Sequence, residues 1–119
     1  MATYTKVKLS ESYYFQPMFL DGTAGDATTW VHTTGASATV IDEVWLYLSA
    51  NQNLSGHFDV SVDGIYTHFN VPITPADGLK LVIAGLCYTG VGAVGTNIEV
   101  TARTGTDLTM SGYVNRITP

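Results

Sequence analysis

"IDEVWLYLSANQ", residues 41 to 52, is the stretch of this 119-residue sequence that decides the fold. Every second residue in its centre is aliphatic, as in a strand that turns one face toward a hydrophobic core. Those residues are Val44, Leu46 and Leu48. Trp45 and Tyr47 lie between them, at positions where such a strand normally presents polar side chains to water. Because only one face of a sheet in a sandwich meets the core, the aromatic face needs a second cover.

Short strand-like runs separated by turn residues recur along the whole chain, whereas apolar residues at helical spacing are missing. The runs are residues 3–9, 13–20, 28–34, 39–50, 57–62, 65–73, 79–86, 98–103 and 108–117. Runs that recur roughly every ten residues are typical of antiparallel β-sandwiches. We therefore predict a single all-β domain over residues 1–119, a jelly-roll-like antiparallel β-sandwich of eight or nine short strands. A barrel is the alternative, and residues 1–20 are expected to form an N-terminal arm or edge strands.

Three positions give more local predictions. Pro17 lacks the N–H that a ladder requires, so its strand is expected to be bent or to lie at a sheet edge. The near-continuous apolar run at 79–86 is typical of a central strand. Cys87 follows this run and is expected to be a small buried hydrophobe, since no nucleophile partner is signalled.

The histidines raise the possibility of a metal site on a predicted hairpin. The Asp-Gly pair at 63–64 is a strong two-residue turn signal, and symmetric pairing about it places Asp59 opposite His68. His57 shares a strand face with Asp59, so the three side chains have a geometry for zinc. A fourth ligand and a dense His/Cys pattern are missing. We therefore expect a surface polar pair here, with no metal and no cofactor.

Composition excludes several classes of function. Ten carboxylates and only five Lys and Arg residues leave a net charge of −5, which disfavours nucleic-acid binding. No segment approaches the ~20 apolar residues of a membrane span, and the N-terminus has no signal-peptide run, so we expect neither membrane binding nor ordinary secretion. Charged residues make up 13% of the chain, against about a quarter in typical domains. Such a surface suits a protein partly covered by copies of itself or by a scaffold.

No pattern in the sequence indicates a reaction. The glycines at 90, 92 and 95 match a dinucleotide fingerprint, but a strand follows them where that motif requires a helix. Asp42 and Glu43 are adjacent on a strand, so they point to opposite faces and cannot act as a glycosidase pair. Their expected role is to keep the entry of the strand solvated. No serine lies in a nucleophile-elbow context, and we predict that the chain is not an enzyme.

The aromatic residues are the remaining candidates for function. Trp45 and Tyr47 are the first interface candidates, because the aliphatic residues between them already face the core. Tyr13, Tyr14 and Phe15 in the N-terminal segment are the next candidates. Aromatic side chains of this kind are enriched where proteins bind one another.

Three phrases of the sequence carry a family resemblance. They are "IDEVWLYLSAN" at 41–51, "VPITPADGLKLVIAGL" at 71–86 and "NIEVTARTGTDLTMSGYVNRI" at 97–117. Together they resemble small virion proteins of tailed bacteriophages, of the head decoration or cement type, over residues 28–119. The resemblance implies a structural protein, made in the host cytoplasm, that sits on the capsid surface of the virion. It also implies a homotrimer that binds the major capsid protein and stabilises the assembled shell by bridging neighbouring capsomers.

Three alternatives stay open. A tail or head-fibre component would be built on a similar sandwich. A carbohydrate-binding module would need Trp30, Trp45 or Tyr47 exposed in a groove. A metal-dependent, cupin-like enzyme would need the three potential zinc ligands to converge inside a barrel.

Overall fold

The computed structural model of the protein describes six parts of the chain: residues 2–10, 15–22, 27–50, 56–63, 66–103 and 107–119. For residues 56–57, 66–70 and 103 it describes the backbone. The strands in these parts are β1 (Thr3–Val7), β2 (Met18–Leu20), β3 (Ala27–Thr33), β4 (Ile41–Ala50), β5 (Gly56–Val62), β6 (Tyr66–Ile73), β7 (Lys80–Tyr88), β8 (Asn97–Arg103) and β9 (Leu108–Thr118). A single 3-10 turn covers Pro75–Asp77, and no helix in the described parts has the length and apolar character to cross a membrane.

Nine described strands form two antiparallel sheets. Sheet A has the order β1-β9-β4-β7, and β2 also pairs with β9. Sheet B has the order β3-β8-β5-β6. The long strand β9 therefore pairs with three other strands: β1, β2 and β4. This arrangement confirms the predicted antiparallel β-sandwich, and the two separate sheets exclude the alternative barrel.

One hydrophobic core lies between the sheets. Sheet A contributes Val44, Leu46 and Leu48, each fully buried as their alternation predicts. Sheet B contributes further fully buried residues, namely Phe58, Val60, Ile98, Val100 and Ala102. Each large aliphatic or aromatic side chain buried in this way contributes roughly 1.5–3 kcal/mol to folding. Because Val44, Leu46 and Leu48 point into the core, the side chains of Trp45 and Tyr47, which alternate with them on β4, point away from the core.

Two predictions about β7 are wrong. The strand lies at the free edge of sheet A, not in its centre, and it exposes Leu81 by 43% and Leu86 by 42%. Cys87 is also exposed. The register of β7 against β4 shifts twice, so the apolar side chains of β7 do not all point toward the core. A continuous apolar run therefore predicts a strand here, but it does not predict whether that strand is central or at an edge of the sheet.

The register of the β5–β6 hairpin also differs from the prediction. The pair nearest the turn is Val62 with Tyr66, so three residues connect the two strands. The register shifts again between Val60 and Ser61. Asp59 consequently lies opposite Asn70, so the predicted Asp59–His68 pair is wrong.

Candidate functional site

The outer side of sheet A carries a row of stacked side chains that runs across three strands. Trp45 on β4 lies opposite Tyr113 on β9, and their rings are stacked, with centroids 6.1 Å apart and planes inclined by 13°. On β1, the ammonium of Lys6 lies 4.5 Å from the centroid of the Tyr113 ring, which is a cation–π contact. Tyr47 follows Trp45 on the same side of β4. We call the surface formed by Lys6, Tyr113, Trp45 and Tyr47 the aromatic face.

The indole of Trp45 is held in place by contacts on both of its sides. Its Nε1–H donates to Oε1 of Glu43 at 2.9 Å, and the side-chain amide of Asn115 donates to the same oxygen at 3.1 Å. These two hydrogen bonds, the one from Trp45 foremost, lower the pKa of Glu43. On the β7 side the ring lies over Gly85, where an added Cβ would be 2.9 Å from the indole. Gly85 also has a φ of +73°, so both its backbone and its lack of a side chain suit this contact.

Further apolar side chains extend the aromatic face toward the sheet edges. Tyr4 on β1 is 71% exposed, Phe19 on β2 is 60% exposed, and the exposed Leu81 lies opposite Tyr47. Trp45 itself is half-buried. Strands β1 and β2 pair with β9 at its free edge, so they widen sheet A and do not cover this face.

Of the three N-terminal interface candidates, the structure describes Phe15. Tyr13 and Tyr14 lie outside the described residues. Phe15 is 50% exposed and has a φ of +63°, an uncommon backbone conformation for a residue with a large side chain.

A chain of polar side chains, which sequence reasoning missed, crosses the interior between the two sheets. Oδ2 of Asp42 on β4 lies 2.8 Å from Nε2 of His32 on β3, and Arg116 on β9 donates to both Asp42 oxygens at 2.8 and 3.0 Å. At the other end, Ser10 Oγ lies 2.9 Å from His32 Nδ1. Asp42 and His32 are each 1% exposed. We call Ser10, His32, Asp42 and Arg116 the polar chain.

The polar chain contains a serine, a histidine and an aspartate in the order of a nucleophilic triad. Its contacts, however, indicate a structural role. The backbone N–H of Ser10 also donates to His32 Nδ1, at 3.1 Å, so the lone pair that would activate a serine is already engaged. Ser10 Oγ in turn accepts the backbone N–H of Thr33 at 3.0 Å. These bonds fasten the segment after β1 to β3, and through Asp42 they fasten β3 to sheet A.

The prediction that Asp42 is solvated is therefore wrong. Burial raises the pKa of this carboxyl, but the hydrogen bonds from His32 and Arg116 outweigh it and lower the pKa to about 2. The carboxylate is thus a buried, fully paired ion that connects two strands of sheet A to sheet B.

A bulge in β3 brings His32 to this position. The register of β3 against β8 shifts between Trp30, which lies opposite Glu99, and His32, which lies opposite Ile98. As a result Val31 and His32 are both buried, while Trp30 is 51% exposed. A strand without the bulge would place His32 on the same outer side as Trp30, so the alternation of the sequence alone could not have located it.

The acid stability of the protein should depend on Asp42. Because its pKa in the folded state lies below the ordinary 3.8, its contribution is complete above about pH 4 and is lost as the pH falls toward 2. A shift of this size corresponds to about 2 kcal/mol. Unfolding by urea, followed from pH 6 to pH 2, should show this loss in the native protein and a shallower one in Asp42→Asn. Equal slopes would contradict the assignment.

The metal hypothesis gains no support. Among the described side chains, no group of three or more His, Cys, Asp or Glu residues is placed to hold a metal ion. The structure describes only the backbone of His57 and His68, and Asp59 is buried.

Comparisons with known proteins do not assign a family. No family model matches the sequence, and no curated protein matches it. Among solved structures, the crystal structure of the CBM36-1 domain of a multidomain xylanase from the hindgut metagenome of Trinervitermes trinervoides is 14% identical to this chain. The alignment covers 96% of each chain with a TM-score of 0.44, a likeness that carries no argument about what this chain binds.

Proposed function

We propose that this chain is a non-enzymatic structural protein that binds its partners through the aromatic face of sheet A. In line with its resemblance, we propose that it is a head decoration protein of a tailed bacteriophage, located on the capsid surface. The observation that carries the proposal is the preformed row of Lys6, Tyr113 and Trp45 on the side of sheet A that the core does not use.

The aromatic face has the physical properties of a binding surface. Trp and Tyr side chains are enriched in the centres of protein interfaces, where they bury large areas with few rotatable bonds. Here the ring of Trp45 is already fixed by Glu43 and Gly85, so little conformational entropy remains to be lost on binding. The exposed Tyr4 and Phe19 extend the apolar surface along the β9 edge of the sheet.

The proposed partners are the major capsid protein and further copies of this chain in a homotrimer. A protein that binds only the assembled lattice shifts the equilibrium toward the assembled shell by mass action. A trimer multiplies this effect, because three linked contacts bridge neighbouring capsomers at a high effective concentration.

Trp45→Ala should weaken assembly far more than folding. Loss of a central aromatic anchor typically costs at least 2 kcal/mol of binding, which is about a 30-fold loss of affinity. Co-sedimentation with capsids that lack the protein measures binding, native mass spectrometry measures the oligomer, and urea unfolding measures protomer stability.

Trp30→Ala is the matched control, since it removes the same side chain from sheet B. We expect it to retain capsid binding. Capsid binding by Trp45→Ala equal to that of the control would refute the assignment of the aromatic face. A native protein that is monomeric in the mass spectrometer would refute the trimer.

One observation favours a carbohydrate-binding module as a second candidate function. Such a module needs an exposed aromatic platform, and Trp30, at 51% exposure, provides one on sheet B. Trp45 and Tyr47 are less suitable, because both are half-buried within the aromatic face. Binding of the whole protein to a glycan array tests this candidate independently of any capsid.

A further inference from the structure

Among its described side chains, the outer side of sheet B combines one exposed aromatic ring with polar groups. Trp30 lies opposite Glu99, which in turn lies opposite Ser61, so these three side chains form one row across β3, β8 and β5. Thr28 and Thr101 form a second row two residues along the strands. We call these five residues the Trp30 surface. It contrasts with the aromatic face, where apolar side chains dominate.

The polar groups of the Trp30 surface are held beside the indole. The hydroxyls of Thr28 and Thr101 lie 2.8 Å apart, and Ser61 Oγ donates to Glu99 Oε2 at 3.4 Å. The bulge after Trp30 sends the next two residues into the interior, which leaves the indole as the outward side chain at this point of β3. Neighbouring strands are ~4.8 Å apart, and same-face residues along a strand are ~6.8 Å apart, so the whole surface is compact.

From this arrangement we infer that the Trp30 surface binds a neutral polysaccharide, an inference that rests on the second candidate function. The electron-rich face of an indole attracts the C–H groups on the flat side of a pyranose ring. Hydroxyls of Ser and Thr both donate and accept hydrogen bonds, and a carboxylate is a strong acceptor, so together they match the hydroxyls of a sugar.

Charge narrows the class of ligand. Glu99 is the cross-strand neighbour of Trp30, and the chain carries a net charge of −5, so an anionic polysaccharide would be repelled. A cation such as a quaternary ammonium could also sit over the indole. It would leave the neutral hydroxyls of Thr28 and Thr101 without a role, so the sugar is the better match.

The Trp30 surface and the aromatic face lie on opposite sheets of the sandwich. A protein attached to a scaffold through sheet A would therefore present the Trp30 surface away from it. Binding of a polysaccharide and binding of a capsid can thus be measured separately in the same protein.

Native affinity electrophoresis of the full chain tests the inference. The gels contain a soluble β-1,4-glucan, a β-1,3-glucan, a mannan or a galactan, with alginate as the anionic comparison. We expect at least one neutral polysaccharide, and not alginate, to retard the protein. Trp30→Ala should reduce the apparent affinity at least tenfold, Trp30→Phe should lose less, and Glu99→Gln should lose several-fold.

Val91→Ala, which shortens a 71% exposed apolar side chain outside both surfaces, is the control and should be retarded like the native protein in these gels. Urea unfolding of each variant shows that it is folded. The inference is overturned if none of the four neutral polysaccharides retards the protein, or if Trp30→Ala is retarded as strongly as the native chain. Failure of capsid binding would refute the decoration function and leave this result unchanged.

Discussion

Asp42→Ala is expected to lower the free energy of unfolding by about 3 kcal/mol. The substitution removes an anion that pairs with both His32 and Arg116. Arg116 is 37% exposed and can turn toward water, but the buried His32 keeps an N–H without an acceptor. Leaving a buried polar group unpaired costs roughly 1–3 kcal/mol by itself, and loss of the charged pair adds to it.

Asp42→Asn is the matched control for this experiment. It keeps the size of the side chain and one acceptor oxygen, so we expect it to lose less than Asp42→Ala. Urea denaturation at pH 7 measures both variants against the native protein. A loss of less than about 0.5 kcal/mol in Asp42→Ala, the range of ordinary surface substitutions, would show that the polar chain does not hold the sheets together.

Gly112→Ala is expected to be at least as damaging. Gly112 lies in the centre of β9, opposite Leu46 of β4, where the two middle strands of sheet A are paired. A Cβ at this position would overlap the carbonyl oxygen of Trp45, which is a backbone atom that cannot move without separating the strands. We expect a loss of roughly 3 kcal/mol or more, or failure to fold, because overpacking against backbone cannot relax by a change of rotamer.

Gly35→Ala is the control for Gly112→Ala. An added Cβ at Gly35 meets no atom within 4 Å, so we expect a change within about 0.5 kcal/mol. Thermal and urea unfolding, compared for the two variants, measure the difference. Equal stabilities would mean that β9 and β4 are not in the contact described.

The sequence predicted the fold correctly where the deciding residues are close to one another along the chain. Alternation along β4 correctly identified the buried residues Val44, Leu46 and Leu48. A strand that faces a core on one side must alternate with a period of two, so this pattern can be read from a few neighbouring residues. The same reasoning placed Trp45 and Tyr47 on the outer side of β4.

The sequence failed where the deciding partner is distant or where the period is broken. Asp42 is buried because Arg116, 74 residues further along the chain, neutralises it. His32 reaches Asp42 through a bulge that shifts the period of β3 by one residue. The edge position of β7 follows from strand order, which no run of apolar residues encodes. Both the polar chain and the Trp30 surface depend on such features.

The central role of β9 has a consequence for how the protein folds in a cell. Of the pairings in sheet A, only β4 with β7 can form before β9 has been synthesised, because β1 and β2 have β9 as their partner. β1 therefore cannot pair before β9 has been made, and contacts between such distant parts of a chain form slowly. During translation the edge of β4 that pairs with β9 remains unpaired until β9 has been made. This interval is when the nascent protein is most prone to aggregate.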